Sequence, residues 1–195
     1  MVGQINNVLC YFGKLTGAVK LKLMYTYCSS FYGCELWDLS NGCINNACVT
    51  WRKGLRRVWG LPYNTHNELL PELCNALPVF DVICKRALSF LHTCANSDSV
   101  IVRFMSRYAL QYGRMSSPMG RNALYCSIRY GVDIIFSVRF NPARVIWKRH
   151  MQNTSPELQT KVDVLKDMLM YREDKRQCIF TNEELETIIC HVCTE

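Results

Sequence analysis

Four cations, Arg52, Lys53, Arg56 and Arg57, stand within six residues, between Trp51 and Trp59. Guanidinium and ammonium groups at this density suit one chemistry: they neutralise phosphates along a nucleic-acid backbone without reading its sequence. Wound at about 100° per residue, Ile44, Ala47, Cys48, Trp51, Leu55, Val58 and Trp59 fall on one arc, and the four cations fall on the other. The pattern predicts a single amphipathic helix with a core-facing stripe and a basic stripe. Its charged face has two open readings, a solvated surface or a phosphate contact. Lys20 and Lys22 upstream add to the charge, and Arg103, Arg107, Arg144, Lys148 and Arg149 extend it if the helices pack suitably. Trp51 and Trp59 lie on the apolar arc, so they read as core anchors rather than base-stacking platforms.

No other spacing supplies a reaction. The sequence has no Gly-rich phosphate loop, no adjacent aspartates and no Gly-x-Ser-x-Gly elbow. Cys190-His191-Val192-Cys193 is the one metal-like spacing, with Cys178 as a third ligand. A structural zinc site needs four ligands, usually in two separated pairs. The helix start at Thr181-Asn182-Glu183-Glu184 also places Cys190 and Cys193 one turn apart on a helix. They are read as unpaired thiols, with no metal, no cofactor and no catalytic residue expected.

The elements that carry these residues are helices with short connections. Residues 4–32 read as one long helix or two, weakened at Gly13 and Gly17 and ended by Gly33. Ser40 or Asn41 caps the basic helix, which stops at Gly60 before Pro62. Thr65 and Glu68 form the pattern of a capping box before a short helix with Leu69, Leu70 and Leu73. Pro78 opens the next helix, and Val100, Ile101, Phe104, Met105 and Tyr108 belong to another. Gly113–Gly120 reads as a loop before a helix over 122–130 ended by Gly131. Residues 133–140 are β-prone but have no visible partner strand. Asn141-Pro142 and Ser155-Pro156 start two further helices, and Leu185, Ile188, Ile189 and Val192 belong to a last one. The expected fold is all-α, an irregular multi-helix array. Three blocks are expected: a helical region with the basic helix over 1–62, a second helical region over 63–152, and an acidic helical pair over 153–195.

Composition sets the partner class. Residues 1–150 hold 18 Lys/Arg against 7 Asp/Glu, whereas residues 151–195 hold 5 against 9. A basic body suits a polyanion. Twelve cysteines with no secretory leader indicate free thiols in a reducing intracellular compartment, nuclear or cytoplasmic. No apolar run approaches the ~20 residues of a membrane span, so no membrane partner is expected.

Tyr32-Gly33-Cys34-Glu35-Leu36-Trp37-Asp38-Leu39-Ser40, followed by the run from Trp51 to Pro62, resembles the region after the catalytic palm in reverse transcriptases of non-LTR (LINE-type) retrotransposons, nearest the jockey-like group. Leu77-Pro78-Val79-Phe80-Asp81, Ser97-Asp98-Ser99 and Gly120-Arg121-Asn122-Ala123-Leu124 follow in the same order. The likeness covers about residues 1–131. It implies that residues 4–60 are a helical thumb against a template–primer duplex, and that 61–150 are post-thumb helices. Arg52, Lys53, Arg56 and Arg57, with Lys20 and Lys22, would then face RNA or DNA phosphates. The metal-binding aspartates of the family lie in the palm, a missing partner here, so the chain is expected to be inert alone. Some relatives carry a C-terminal zinc knuckle, but its pattern is absent and no such role passes to Cys190 or Cys193. Two rival readings are a cellular helical scaffold for a protein partner and a decayed element product without function.

Overall fold

The computed structural model describes residues 2–29, 31–113, 115–131 and 140–174. Among them are nine α-helices, one 3-10 turn and no strand. The helices are α1 (Val2–Tyr11), α2 (Gly17–Cys28), α3 (Cys43–Trp59), α4 (Leu69–Leu73), α5 (Val79–Ala95), α6 (Val100–Gln111), α7 (Pro118–Tyr130), α8 (Pro142–Asn153) and α9 (Pro156–Asp174); the 3-10 turn is Cys34–Leu36. The fold is all-α, as the helical periodicity predicts.

The chain gathers into two compact units that interleave along the sequence. One comprises 1–30, 47–77 and 154–195, the other 31–46 and 78–153. These are not the consecutive blocks 1–62, 63–152 and 153–195. In the first unit the C-terminal α9 returns to pack on α4. Leu69, Leu70 and Leu73 of α4 are buried, as are Val162, Leu165 and Leu169 of α9. A five-residue helix cannot hold itself together in water. Burial of both leucine faces on each other holds α4.

The second unit is built around α5. Ile83, Cys84, Ala87, Leu88, Leu91 and Ala95 are all buried, and the 3-10 turn, α6, α7 and α8 pack against the helix. Asn122 on α7 is 3% exposed. Its Oδ1 accepts from the Leu39 N–H at 3.0 Å and its Nδ2 donates to the Trp37 carbonyl at 2.7 Å. One side chain thereby replaces two backbone partners that the irregular 37–39 segment lacks. Arg121 adds an ion pair to Asp38 at 3.5 Å, and Arg86 donates to the Phe31 carbonyl at 3.0 Å. Burial holds the Cys34 thiol above its usual range.

Three boundaries differ from the sequence expectation, at Gly33, Thr65 and Pro118. Of the two readings open for residues 4–32, the structure has two helices: α1 stops at Tyr11 and α2 starts at Gly17. A Cβ on Gly13 would lie 2.9 Å from the Leu9 carbonyl oxygen, so a glycine sits where the chain folds back. Gly33 does not end α2. It sits at φ 75° and opens the 3-10 turn. Thr65 does not cap α4. Its hydroxyl donates to the Pro62 carbonyl at 2.8 Å, and α4 begins at Leu69 with no side-chain cap. Helix α7 starts at Pro118 rather than 122, because the Ser117 hydroxyl accepts from the Gly120 N–H at 2.9 Å and Pro118 takes the first helical position. The β-prone run 133–139 and the expected helix after Thr181 lie outside the described residues.

Replacing Asn122 by Ala leaves two buried backbone groups without partners. The expected loss is about 3 kcal/mol, read by urea denaturation of the full chain. Replacing the exposed Asn45 of α3 by Ala changes stability by less than about 0.5 kcal/mol.

Candidate nucleic-acid interface

Helix α3 presents the basic face because both its ends and its rotation are fixed. The Asn41 Oδ1 accepts from the Cys43 N–H at 2.8 Å and opens the helix. At the other end Gly60 takes φ 61°. The Leu61 N–H reaches back to the Arg56 carbonyl at 2.8 Å and the Gly60 N–H to the Arg57 carbonyl at 3.3 Å. This is the paired-bond C-terminal motif that glycine permits. Ile44, Cys48, Trp51, Leu55 and Val58 are buried along one stripe, and Trp59 is half-buried. Gly54 lies on the flank of the stripe, where a Cβ would sit 2.9 Å from Ile5 Cδ1 and 3.4 Å from Met24 Cε. Side chains of α1 and α2 thus press directly onto the α3 backbone. Trp51 meets the Tyr25 ring at 5.2 Å between centroids. Burial pushes the Tyr25 phenol up from its ordinary value. Burial also raises the Cys74 thiol to about 11, with the Trp59 indole, Lys166 and Tyr25 beside it.

With that stripe buried, the cations must face outward, but they are not equivalent. Lys53 and Arg57 are exposed; Arg52 and Arg56 are half-buried. Lys53, Arg56 and Arg57 line one open groove of about 490 Å³ together with Asn6, Thr50 and Tyr63. Its apolar floor is Ile5, Gly54 and Leu61. Arg57 Nη1 donates to Asn6 Oδ1 at 2.6 Å. Asn6 is neutral, so this bond orients the guanidinium without cancelling its charge. Arg56 is used differently: its Nη2 donates to the Thr65 carbonyl at 2.7 Å and to Asn67 Oδ1 at 2.8 Å. It ties the 62–68 segment to α3 and is a structural residue first. Arg52 lines no part of the groove. Lys20 and Lys22 lie on α2, where Lys20 Nζ donates to the Gly13 carbonyl at 3.4 Å; neither lines the groove.

No family model matches the chain, and neither does any curated protein or solved structure. Residues 1–67 contain seven Lys/Arg and two carboxylates, Glu35 and Asp38. The segment 39–67, which carries α3, has none. A groove with three cations, two neutral hydrogen-bonding side chains and an aromatic rim matches the chemistry of a phosphodiester backbone. Tyr63, 80% exposed, was not visible as a site residue. It follows the helix and belongs to no periodic pattern. Asn6 lies 47 positions before Lys53, so only folding unites them. Thr50 carried a weak signal, since it stands one turn before Lys53 on the same face.

The densest buried polar cluster is elsewhere, in the second unit. Tyr130 Oη donates to Asp81 Oδ1 at 2.6 Å and Arg129 Nη2 donates to the same oxygen at 3.1 Å. The guanidinium also lies 4.8 Å above the Phe80 ring. Asp81 is 8% exposed and doubly held, so the cluster locks α5 to α7 rather than offering a reactive group. Cys126, next to it, is pushed far above its ordinary value by Cys84 and by burial. Among the described residues no group of three or more His, Cys, Asp or Glu is placed to hold a metal. The nine described cysteines are free thiols; Cys178, Cys190 and Cys193 lie outside the described residues. No described helix is long and apolar enough to cross a membrane.

The split within the basic stripe gives a direct test. Arg56→Gln removes charge-assisted bonds to Thr65 and Asn67 and should cost about 2 kcal/mol in a denaturant titration. Lys53→Gln at the same helix should change stability by less than about 0.5 kcal/mol.

Proposed function

We propose that this chain is the thumb and post-thumb part of a non-LTR retrotransposon reverse transcriptase, and that the α3 groove holds the sugar–phosphate backbone of an RNA or DNA template–primer. The observation that carries the reading is the exposed Lys53–Arg57 pair in an open groove, on a segment with no carboxylate. Neutral Asn6 and Thr50 supply hydrogen bonds to phosphate oxygens without repelling them. The buried opposite stripe gives these cations a rigid support, which reduces the entropy lost on binding.

The role is to hold, not to react. In this reading catalysis belongs to a palm with its own metal-binding aspartates, and the palm is the protein partner. The groove reads charge and spacing, so binding tolerates any sequence. Lys53 and Arg57 carry the contact inside the groove, and half-buried Arg52 extends it along the same basic face outside the groove. Arg56 supports the site, and Lys20 and Lys22 are peripheral.

The measurement is duplex affinity against salt. Three phosphate contacts predict a slope of log K on log salt of about −3 for B-form DNA. Combined Arg52→Gln, Lys53→Gln and Arg57→Gln replacement should bring the slope close to zero, with the helical circular dichroism unchanged. Absent binding at low salt, or an unchanged slope in the triple variant, overturns the reading.

A further inference from the structure

Helix α6 is inside out. Ser106 is 5% exposed and Leu110 3%, yet Val100, Ile101, Phe104, Met105, Tyr108 and Tyr112 at its C-terminal end are 54–76% exposed. Those six residues share one arc of about 140° on the helix wheel. Gln111 is the sole polar side chain on that arc. Phe104, Tyr108 and Tyr112 form a ladder with centroid spacings of 6.4 and 5.3 Å. The two arginines of α6 are turned away from the arc. Arg103 Nη1 donates to the Ser97 carbonyl at 2.8 Å and Arg107 Nε to the Ala95 carbonyl at 2.9 Å, so both close the C-terminal end of α5. The arc itself carries aromatic and aliphatic groups and no charge; Arg103 is half-buried, and Arg107 is exposed just beyond the Val100 edge of the arc.

We propose that this face is the contact surface of a symmetric homodimer, with α6 of one copy packed antiparallel on α6 of the other. The charge pattern selects the occupant. A nucleic-acid backbone calls for cations at the contact and interfacial membrane helices are rich in Lys and Arg, whereas this arc carries none and Arg107 borders it singly. The arc is neutral and so complementary to itself, with the exposed Arg107 left at the solvated rim, where its charge is screened. The area agrees: the six residues expose on the order of 700 Å² in total, close to the roughly 800 Å² per partner of a standard interface. The ladder repeats every four residues, so an antiparallel pairing sets Phe104 of one copy opposite Tyr108 of the other. Tyr112, at the end of the helix, then brings its hydroxyl to the wet rim, where such groups keep a hydrogen-bond partner. A patch larger than a few hundred Å² on one monomer is what such a contact leaves when its partner is removed.

Sedimentation velocity of the full chain, from about 1 to 100 µM, reads the proposal. The expected result is a concentration-dependent monomer–dimer equilibrium. Phe104→Glu with Tyr108→Glu should raise the dissociation constant at least ~100-fold. Both side chains are exposed, so helical circular dichroism should not change. On the native chain, peroxide oxidation of Met105 should be slower at the concentrated end of the range than at the dilute end. The Arg52→Gln, Lys53→Gln, Arg57→Gln variant should dimerise as the native chain does. A monomer over the whole range, open-ended assembly beyond the dimer, unprotected Met105, or a double variant that still dimerises overturns the proposal.

Discussion

The basic surface depends on the burial of the α3 stripe. Trp51, Leu55 and Val58 are 2–3% exposed, and their removal from water favours one rotation of the helix. Gly54 makes that rotation sterically exact at close range: Ile5 and Met24 reach the helix backbone because no Cβ stands in the way. A glycine inside a helix costs about 1 kcal/mol relative to Ala. The close packing of α1 and α2 offsets that cost. Once the stripe is buried, the position of Lys53 and Arg57 is no longer a free variable. Hydrophobic burial supplies the stability, and the charge pattern on the remaining face supplies the function proposed for it.

The α3 helix was legible in the sequence because one period governs all seventeen of its residues. Its end was legible too, since Gly60 before Pro62 is a local signal with a local cause. The division of labour among the cations was not legible. Periodicity treats Arg56 and Arg57 as equals, yet one is tied to the Thr65 carbonyl and the other opens into the groove. That difference depends on where residues 62–68 fold, which is a tertiary fact. Thr65 shows the same limit. The capping-box pattern is sound chemistry, but the Thr65 hydroxyl donates to the Pro62 carbonyl and the helix begins only at Leu69, so the turn takes the bond. Ser117-Pro118 reads as loop by composition, although it is a cap followed by a first-turn proline. There the sequence held the signal, and the surrounding Gly and Ser residues masked it.

Several polar residues of the second unit serve its fold. Asn122 and Arg121 hold Trp37, Asp38 and Leu39, 83 to 85 positions apart in sequence. Asp81, Arg129 and Tyr130 join α5 to α7 in the same manner. Their polarity serves the fold and leaves no group for chemistry. Helix α6 is the opposite case. Its apolar residues read as an ordinary core stripe, and a wheel cannot say which arc faces the neighbours. Ser106 and two arginines that close the end of α5 set its rotation, against hydrophobicity.

The central claim is that the exposed cations of α3, and Lys53 above all, touch the nucleic-acid backbone. Lysine acetylation followed by mass spectrometry tests it at the residue itself. A saturating short duplex at low salt should slow acetylation of Lys53 several-fold. Lys161, which pairs with Glu157 at 3.3 Å on α9, should be acetylated at the same rate with and without duplex. Equal acetylation of Lys53 in the free and saturated protein would contradict the account, because the chain would then hold nucleic acid through some other surface.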